Sequence, residues 1–402
     1  MNTRKSAFGS LFLLLAFVSA TASSRDDHDA IKAMTYNQYP GADLAPLLIA
    51  GTPEAFNDAL VLVLQKIAAS RFQDRVKQQA EQIADAEPDV VALQEAWKFE
   101  CQDLLPLTME GQGCSDPSIA GAFRDQLEDT LTALRRHGQK YRAVAAVKDL
   151  DVSVLQVPGF PQGIPFTING VPALLNTIDR DVLLVRRGVK AKPVDFSAAC
   201  PGRASLDGCN YLVVANAPVP IGSLAIQRGY VGADIRVGHR NARVITTHLE
   251  LRLPDPTNPA SPVLQAAQAQ ELIATLQATT PAGTPLILLG DMNSSPADPA
   301  VTLPPPINTV VPPYQQFLAA GYSDAWLQRK SPSDGFTCCQ LEDLSNRKSQ
   351  LYERIDLIFS QPEPERTRHV ALLGALKRDK TRGPEPRLWP SDHAALKAEL
   401  RF

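Results

Sequence analysis

Short apolar runs ending in a polar or charged residue recur along this chain of 402 residues. Ile31 to Tyr36 reads as a strand that ends at Asn37, where Tyr39-Pro40-Gly41 turns the chain. From Glu54 to Ala86 the apolar positions fall three and four apart: Phe56, Leu60, Leu64 and Ile67 share one face, and Phe72, Val76 and Ile83 follow. That spacing predicts one or two amphipathic helices, stopped by Pro88. Val90 to Leu93 is then a buried strand delivering Gln94 and Glu95 at its end. Further helices are expected over Ser118 to His137 and Pro262 to Ala278. Further strands are expected over Tyr141 to Val147, Val182 to Val185, Ala233 to Val237, Arg243 to Thr247, Leu286 to Leu289, Ile355 to Phe359 and Ala394 to Leu400. Strands and helices mix without strict alternation, which favours sheets with helices outside over a regular doubly wound fold. No Gly/Ser linker or repeat divides the chain, so one large α/β unit over residues 23–402 is expected.

The first 22 residues read differently. Arg4 and Lys5 precede the apolar run Leu11 to Val18 and the small residues Ala20-Thr21-Ala22, the three parts of a secretory signal cleaved before Ser23. The run is shorter than the roughly 20 residues a membrane span needs. A secreted or periplasmic protein is therefore expected. Six cysteines suit such an oxidising compartment, with Cys101 close to Cys114 and Cys200 close to Cys209 in the sequence. The adjacent Cys338 and Cys339 can bridge to each other, pair elsewhere or stay free. No C-x-x-C spacing supports a zinc site. Without Arg4 and Lys5 the 40 basic residues fall to 38 against 43 acidic ones, a net charge of −5. Tight nonspecific nucleic-acid binders are usually basic, so the balance tilts mildly away from such a partner.

The candidate chemistry gathers at the predicted strand ends: Asn37, Glu95, His248, Asp291, Asn293, Asp356, Asp392 and His393. In the run LILLGDMN a carboxylate and an amide lie two residues apart on an extended segment and face the same way. Asp291 can orient and deprotonate water while Asn293 donates to developing phosphoryl charge, although the same pair also caps turns. Glu95 at the mouth of its strand suits a hard divalent cation, with Asn37 adding an amide oxygen. In Ser391-Asp392-His393 the adjacent Asp cannot easily bond the imidazole. That suggests Asp392 on the metal and Asp356, of RIDLIFS, orienting His393. His248 can donate to a phosphate oxygen or serve as a satisfied structural histidine.

Taken in order, TYN (35–37), PDVVALQE (88–95), THLE (247–250), GDMN (290–293), DAW (324–326), RIDLIF (354–359) and SDH (391–393) resemble the endonuclease/exonuclease/phosphatase superfamily from about Ile31 to Leu400. The resemblance implies a four-layer α/β sandwich, two β-sheets packed face to face with helices outside, and one active site at the strand ends. It implies a phosphoester hydrolase using Mg²⁺, or Mn²⁺, held at Glu95 with Asn37 and Asp392 close by. Asp291 would then activate water, Asn293 would steady the transition state, Asp356 would orient His393, and His248 would contact phosphate.

Substrate is less determined, because the superfamily spans nucleases, sphingomyelinases and phosphatases. A monomeric phosphodiesterase acting on phospholipid or another small phosphoester, with peripheral membrane contact, is the leading expectation. An extracellular nuclease is the alternative, for which Arg186, Arg187, Arg240 and Arg243 near strand ends could form a basic groove. A noncatalytic binding module would be a different class. The stretch Val154 to Leu175 is apolar yet broken by prolines and glycines. It reads as a hairpin packed on the core, or as an apolar wall or membrane-dipping loop beside the site through Phe160 and Phe166.

Overall fold

A computed structural model describes residues 30–106, 111–204, 208–252, 260–305 and 309–402. The expected signal segment lies outside the described residues.

In chain order the main elements are β1 (Ile31–Asn37), α1 (Pro53–Ala69), α2 (Phe72–Ala86), β2 (Val90–Gln94), β3 (Lys98–Asp103), α3 (Gln126–Arg136), β4 (Tyr141–Asp151), β5 (Ile164–Ile168) and β6 (Val171–Arg186). The second half adds β7 (Gly229–Val237), β8 (Arg240–His248), α4 (Ala260–Thr279), β9 (Leu286–Asp291), β10 (Asp356–Gln361), β11 (Arg366–Leu373) and β12 (Ala395–Arg401). One sheet runs β11-β12-β1-β2-β6-β3, with β4 and β5 also paired to β6. The other contains β10-β9-β8-β7 flanked by short strands. Their facing surfaces bury Ile31, Val90, Val185, Val231, Val244, Ile287, Ile358 and Leu396 in one apolar layer. Helices α1 to α3 cover the outside of the first sheet, and α4 covers the second. This is the expected four-layer sandwich.

The helices follow local signals. Thr52 accepts the N–H of Ala55 and Pro53 opens α1, while Arg71 in the left-handed region (φ 49) separates α1 from α2. The expected helix over Ser118 to His137 is shorter than its apolar pattern, because Asp125 accepts the N–H groups of Leu127 and Glu128 and starts α3 there. Residues 120–122 form a separate single turn. Val182 to Val185 proves to be the end of the sixteen-residue β6, whose first half pairs with β3 and β5.

The hairpin reading holds for the second half of Val154–Leu175: β5 and β6 turn at Asn169-Gly170, with Ile164, Phe166 and Ile168 buried. Phe160 is 40% exposed, and neither it nor Phe166 lines the active-site cleft. Phe166 is therefore core, sharing the buried face of β5 with Ile164 and Ile168, while Phe160 lies in a bend before that strand and stays partly exposed. The three disulfides join Cys101 to Cys114, Cys200 to Cys209 and Cys338 to Cys339.

Candidate active site

Strand register assembles the site. β1 and β2 run parallel with Asn37 beside Gln94, so Asn37 and Glu95 leave the first sheet together. In the second sheet His248 pairs with Asp291 and Asp291 with Asp356, placing three polar side chains in one row at the strand ends. Gly290 makes that close approach possible. A Cβ there, at φ +153, would lie 2.0 Å from the Thr247 carbonyl oxygen. Gln94 ties the layers beneath, accepting from the Thr35 hydroxyl and donating to the Thr246 hydroxyl, each at 2.9 Å.

Glu95, His248, Asp291, Asn293, Asp392 and His393 line a cleft of about 1100 Å³, and Asn37 and Asp356 stand behind them, hydrogen-bonded to Glu95 and Asp291 and to His393 respectively. Asn37, His248, Asp291, Asp356 and His393 are buried, whereas Glu95, Asn293 and Asp392 keep partial exposure. The Asn37 amide donates to Glu95 Oε1 at 2.9 Å and to Asp291 Oδ2 at 3.1 Å, bridging two acidic groups brought from opposite sheets. Its Oδ1 accepts the N–H of Tyr39 and keeps one lone pair. Asp291 Oδ1 accepts the Asn293 N–H at 2.9 Å. Asn293 Nδ2 donates to the Leu249 carbonyl at 2.9 Å and lies 3.1 Å from His248 Nε2. His393 Nδ1 is 2.8 Å from Asp356 Oδ2, and Asp291 Oδ2 lies 3.8 Å from the same ring nitrogen. Asp392 is instead 4.0 Å from the other side of the ring, at Nε2. His393 thus pairs with Asp356 and not with the adjacent Asp392, as the sequence suggests.

Charge follows from this crowding. Burial, and then repulsion from Asp392 and Asp179, push Glu95 up to about 8. Burial also pushes Asp356 up to about 6. Burial opposes charge on His393, yet Asp356, Asp392 and Asp291 hold its pKa well above the ordinary imidazole value. Burial likewise opposes charge on Asp291, but the two histidines and the N–H donors keep it below the usual carboxylate range. His248 is lowered to about 3 by burial and the neighbouring Arg228, and is therefore a neutral ring. Glu95 and Asp392 repel each other, and the His393 imidazolium and Arg75 only partly offset the burial of Asp392. As two carboxylates beside an amide and open to the cleft, they form a donor set that suits a hard divalent ion.

The structure adds groups that sequence reading missed. Arg228 precedes β7, lines the cleft, and sets Nη1 2.8 Å from His248 Nδ1. Asp149 and Asp181 lie buried behind it, and Asp179 lines the cleft beside it. The alternating Asp179 and Asp181 inside an apolar strand were a visible signal, whereas nothing local marks Arg228. Thr337 accepts the N–H groups of Ile355 and Asp356 on its hydroxyl, steadying the Asp356 backbone. Two other motif residues serve structure: Arg354 and Asp324 form a buried ion pair at 2.6 Å. The arginines proposed as a basic groove do not reach the site. Arg186 pairs with Asp89 and Arg243 with Asp234, at the strand ends opposite Glu95 and His248, and none of Arg186, Arg187, Arg240 and Arg243 lines the cleft.

A profile of the Endonuclease/Exonuclease/phosphatase family matches residues 64–393. Among solved structures, a mannosyl-6-phosphatase of Bacteroides thetaiotaomicron is similar at 15% identity and TM-score 0.50, over 92% of this chain and 100% of that one. An endonuclease/exonuclease/phosphatase family protein of Leptotrichia buccalis is similar at 14% identity and TM-score 0.48, over 93% and 100%. A truncated TDP2 of Caenorhabditis elegans is similar at 14% identity and TM-score 0.43, over 93% and 98%. No curated protein sequence matches. At 15% identity the likeness to the mannosyl-6-phosphatase speaks for the fold alone.

Proposed function

The chain belongs to the endonuclease/exonuclease/phosphatase family, enzymes acting on phosphate esters, and from that premise we propose that it is a secreted, Mg²⁺-dependent phosphodiesterase acting on a phospholipid or another small phosphoester. The observation that carries the substrate class is the charge of the cleft. Asp43, Asp179, Asp298, Glu342 and Glu353 line it, Glu342 being paired with Lys66 at 2.8 Å, whereas the basic lining groups among the described residues are Arg228 and Arg252. Arg252 lies 3.5 Å from Asp298, so little free positive charge faces the cleft mouth. A polyanionic nucleic acid draws most of its affinity from basic contacts along its backbone, and this mouth offers few. Leu44, Trp97, Leu251, Val301 and Leu303 line the same cleft, which favours a substrate with an apolar portion.

In this reading Glu95 and Asp392 hold the divalent ion, with Asn37 fixing Glu95 and able to lend its amide oxygen. The bound ion supplies a Lewis acid that polarises phosphoryl oxygens. Asp291, kept ionised, orients the attacking water and takes its proton. Asn293 and Arg228 face the developing negative charge on the phosphoryl group. His393 stays protonated against Asp356 and donates from Nε2 to the same oxygens, and neutral His248 spaces Arg228 and Asn293. The apolar N-terminal run and the three disulfides support export. No described helix is long and apolar enough to cross a membrane.

The test is hydrolysis of bis(p-nitrophenyl) phosphate, a micellar phospholipid and duplex DNA, each with and without EDTA. Chelator-sensitive turnover of the first two, exceeding that on DNA, is expected. Efficient DNA cleavage would replace the reading with the nuclease one, and full activity in excess EDTA would end the metal-dependent mechanism. N-terminal sequencing of exported protein is expected to begin at Ser23.

A further inference from the structure

Beneath the catalytic residues lies a group of acids that the reaction leaves unexplained. Asp179 and Asp181, two apart on β6, face inward between the sheets. β4 brings the third: its register shifts between Lys148 and Leu150, so Asp149 is the extra residue of a β-bulge and is fully buried. Bulges characteristically re-aim one side chain beside a functional site. Asp149 and Asp181 present ligand oxygens within 4.8 Å of each other and of a His248 ring nitrogen.

The carboxylates have almost no donors. Among the described residues no N–H or hydroxyl donates to either oxygen of Asp149, to either of Asp181 or to Oδ1 of Asp179, and the Asp149 and Asp181 carboxyls stand within hydrogen-bond reach of each other. Arg228 is the cation facing them, with Nη1 3.9 Å from Asp149 and from Asp179 and already engaged with His248 Nδ1. Arg180, between the two β6 acids, points to the opposite face and pairs with Asp125. Three carboxylates against one guanidinium leave two negative charges in a buried space, and such charge requires a counterion or protons.

We infer that Asp149, Asp179 and Asp181 form a second cation site for a hard divalent ion, separate from the one at Glu95 and Asp392. A divalent ion closes the charge balance that Arg228 leaves open, and five free carboxylate oxygens are the donors such an ion prefers. The Nδ1 of His248 is occupied by Arg228, so the cage is an oxygen cage. With its ion bound, it would hold the Arg228 and His248 pair against the cleft from behind.

The test uses the full chain dialysed against Mn²⁺, with bound metal counted by elemental analysis. Two ions per chain are expected in the wild type, one in Glu95→Gln, and one in Asp149→Asn/Asp181→Asn. A single ion that disappears in Glu95→Gln overturns the inference, as does wild-type stoichiometry in the double variant. Should the double variant not fold, the melting temperature of Glu95→Gln decides, since an ion bound only by the folded chain raises it. A rise with added Mn²⁺ that Asp181→Asn removes from the Glu95→Gln background supports the site. No rise in Glu95→Gln means that the acids share protons, and the site is absent. An inactive wild type whose Glu95→Gln variant still binds one ion would defeat the proposed function and leave this site standing.

Discussion

Replacing Asp356 by Asn isolates the charge behind His393 with little change of shape. The carboxylate sits 2.8 Å from Nδ1 and is fully buried, so this is a short, desolvated hydrogen bond with a charged acceptor. Bonds of that kind contribute about 1.5–3 kcal/mol. At about 1.4 kcal/mol per factor of ten, their loss from the transition state lowers kcat by roughly 10- to 150-fold. A fall nearer 10⁴-fold, the order seen when such an exchange leaves the imidazole in the wrong tautomer, would mean that the amide turns its NH₂ toward the ring. The pH profile separates this role from simple packing. His393 is held well above the ordinary imidazole pKa with Asp356 as the first carboxylate doing so, so neutralising that group lowers the histidine pKa. The protonated ring is then lost at lower pH, and the alkaline limb of kcat moves toward acid. The assay is kcat for bis(p-nitrophenyl) phosphate across pH, with thermal melting as a control on folding. A variant within about twofold of wild type with an unmoved alkaline limb would refute the positioning role of Asp356.

Glu95→Gln should raise the Mn²⁺ concentration needed for half-maximal activity by at least tenfold with little change in melting temperature, and an unchanged requirement would exclude Glu95 as a ligand. Arg228→Ala should lower kcat/KM by roughly 10- to 100-fold on a diester, in line with the loss of a charged hydrogen bond, and wild-type kcat/KM in the variant would show that Arg228 does not reach phosphate. Phe166→Ser should destabilise the fold by about 3–5 kcal/mol in denaturant titration because the ring is core, whereas half-exposed Phe160→Ser should cost less than about 1 kcal/mol. A selective loss on micellar substrate in the Phe160 variant would support a lipid-facing loop at that bend.

The sequence alone carried the chemistry that depends on local order. Asn37, Glu95, His248, Asp291, Asn293, Asp356, Asp392 and His393 each follow or precede an apolar run, and residues at strand ends are the ones free to carry chemistry on a rigid support. The elements themselves were equally legible, since period and caps are local: Thr52 starts α1, and Pro88 follows α2. Tertiary structure decided what depends on register and on which face meets which. The Asn37 amide spanning Glu95 and Asp291 links residues 254 positions apart, a pairing no spacing encodes. Arg228 acquires meaning only because β7 lies beside β8 and leaves its guanidinium on His248. The four arginines read as a possible groove fall at the wrong end of their strands, because strand direction, invisible in a list of strands, determines which end faces the cleft. Asp149 is buried through a one-residue shift in β4, and Asp179 and Asp181 join it because β4 and β6 pair antiparallel. Pairing between distant strands, rather than composition or periodicity, therefore turned scattered acids into a cluster with too little positive charge around it.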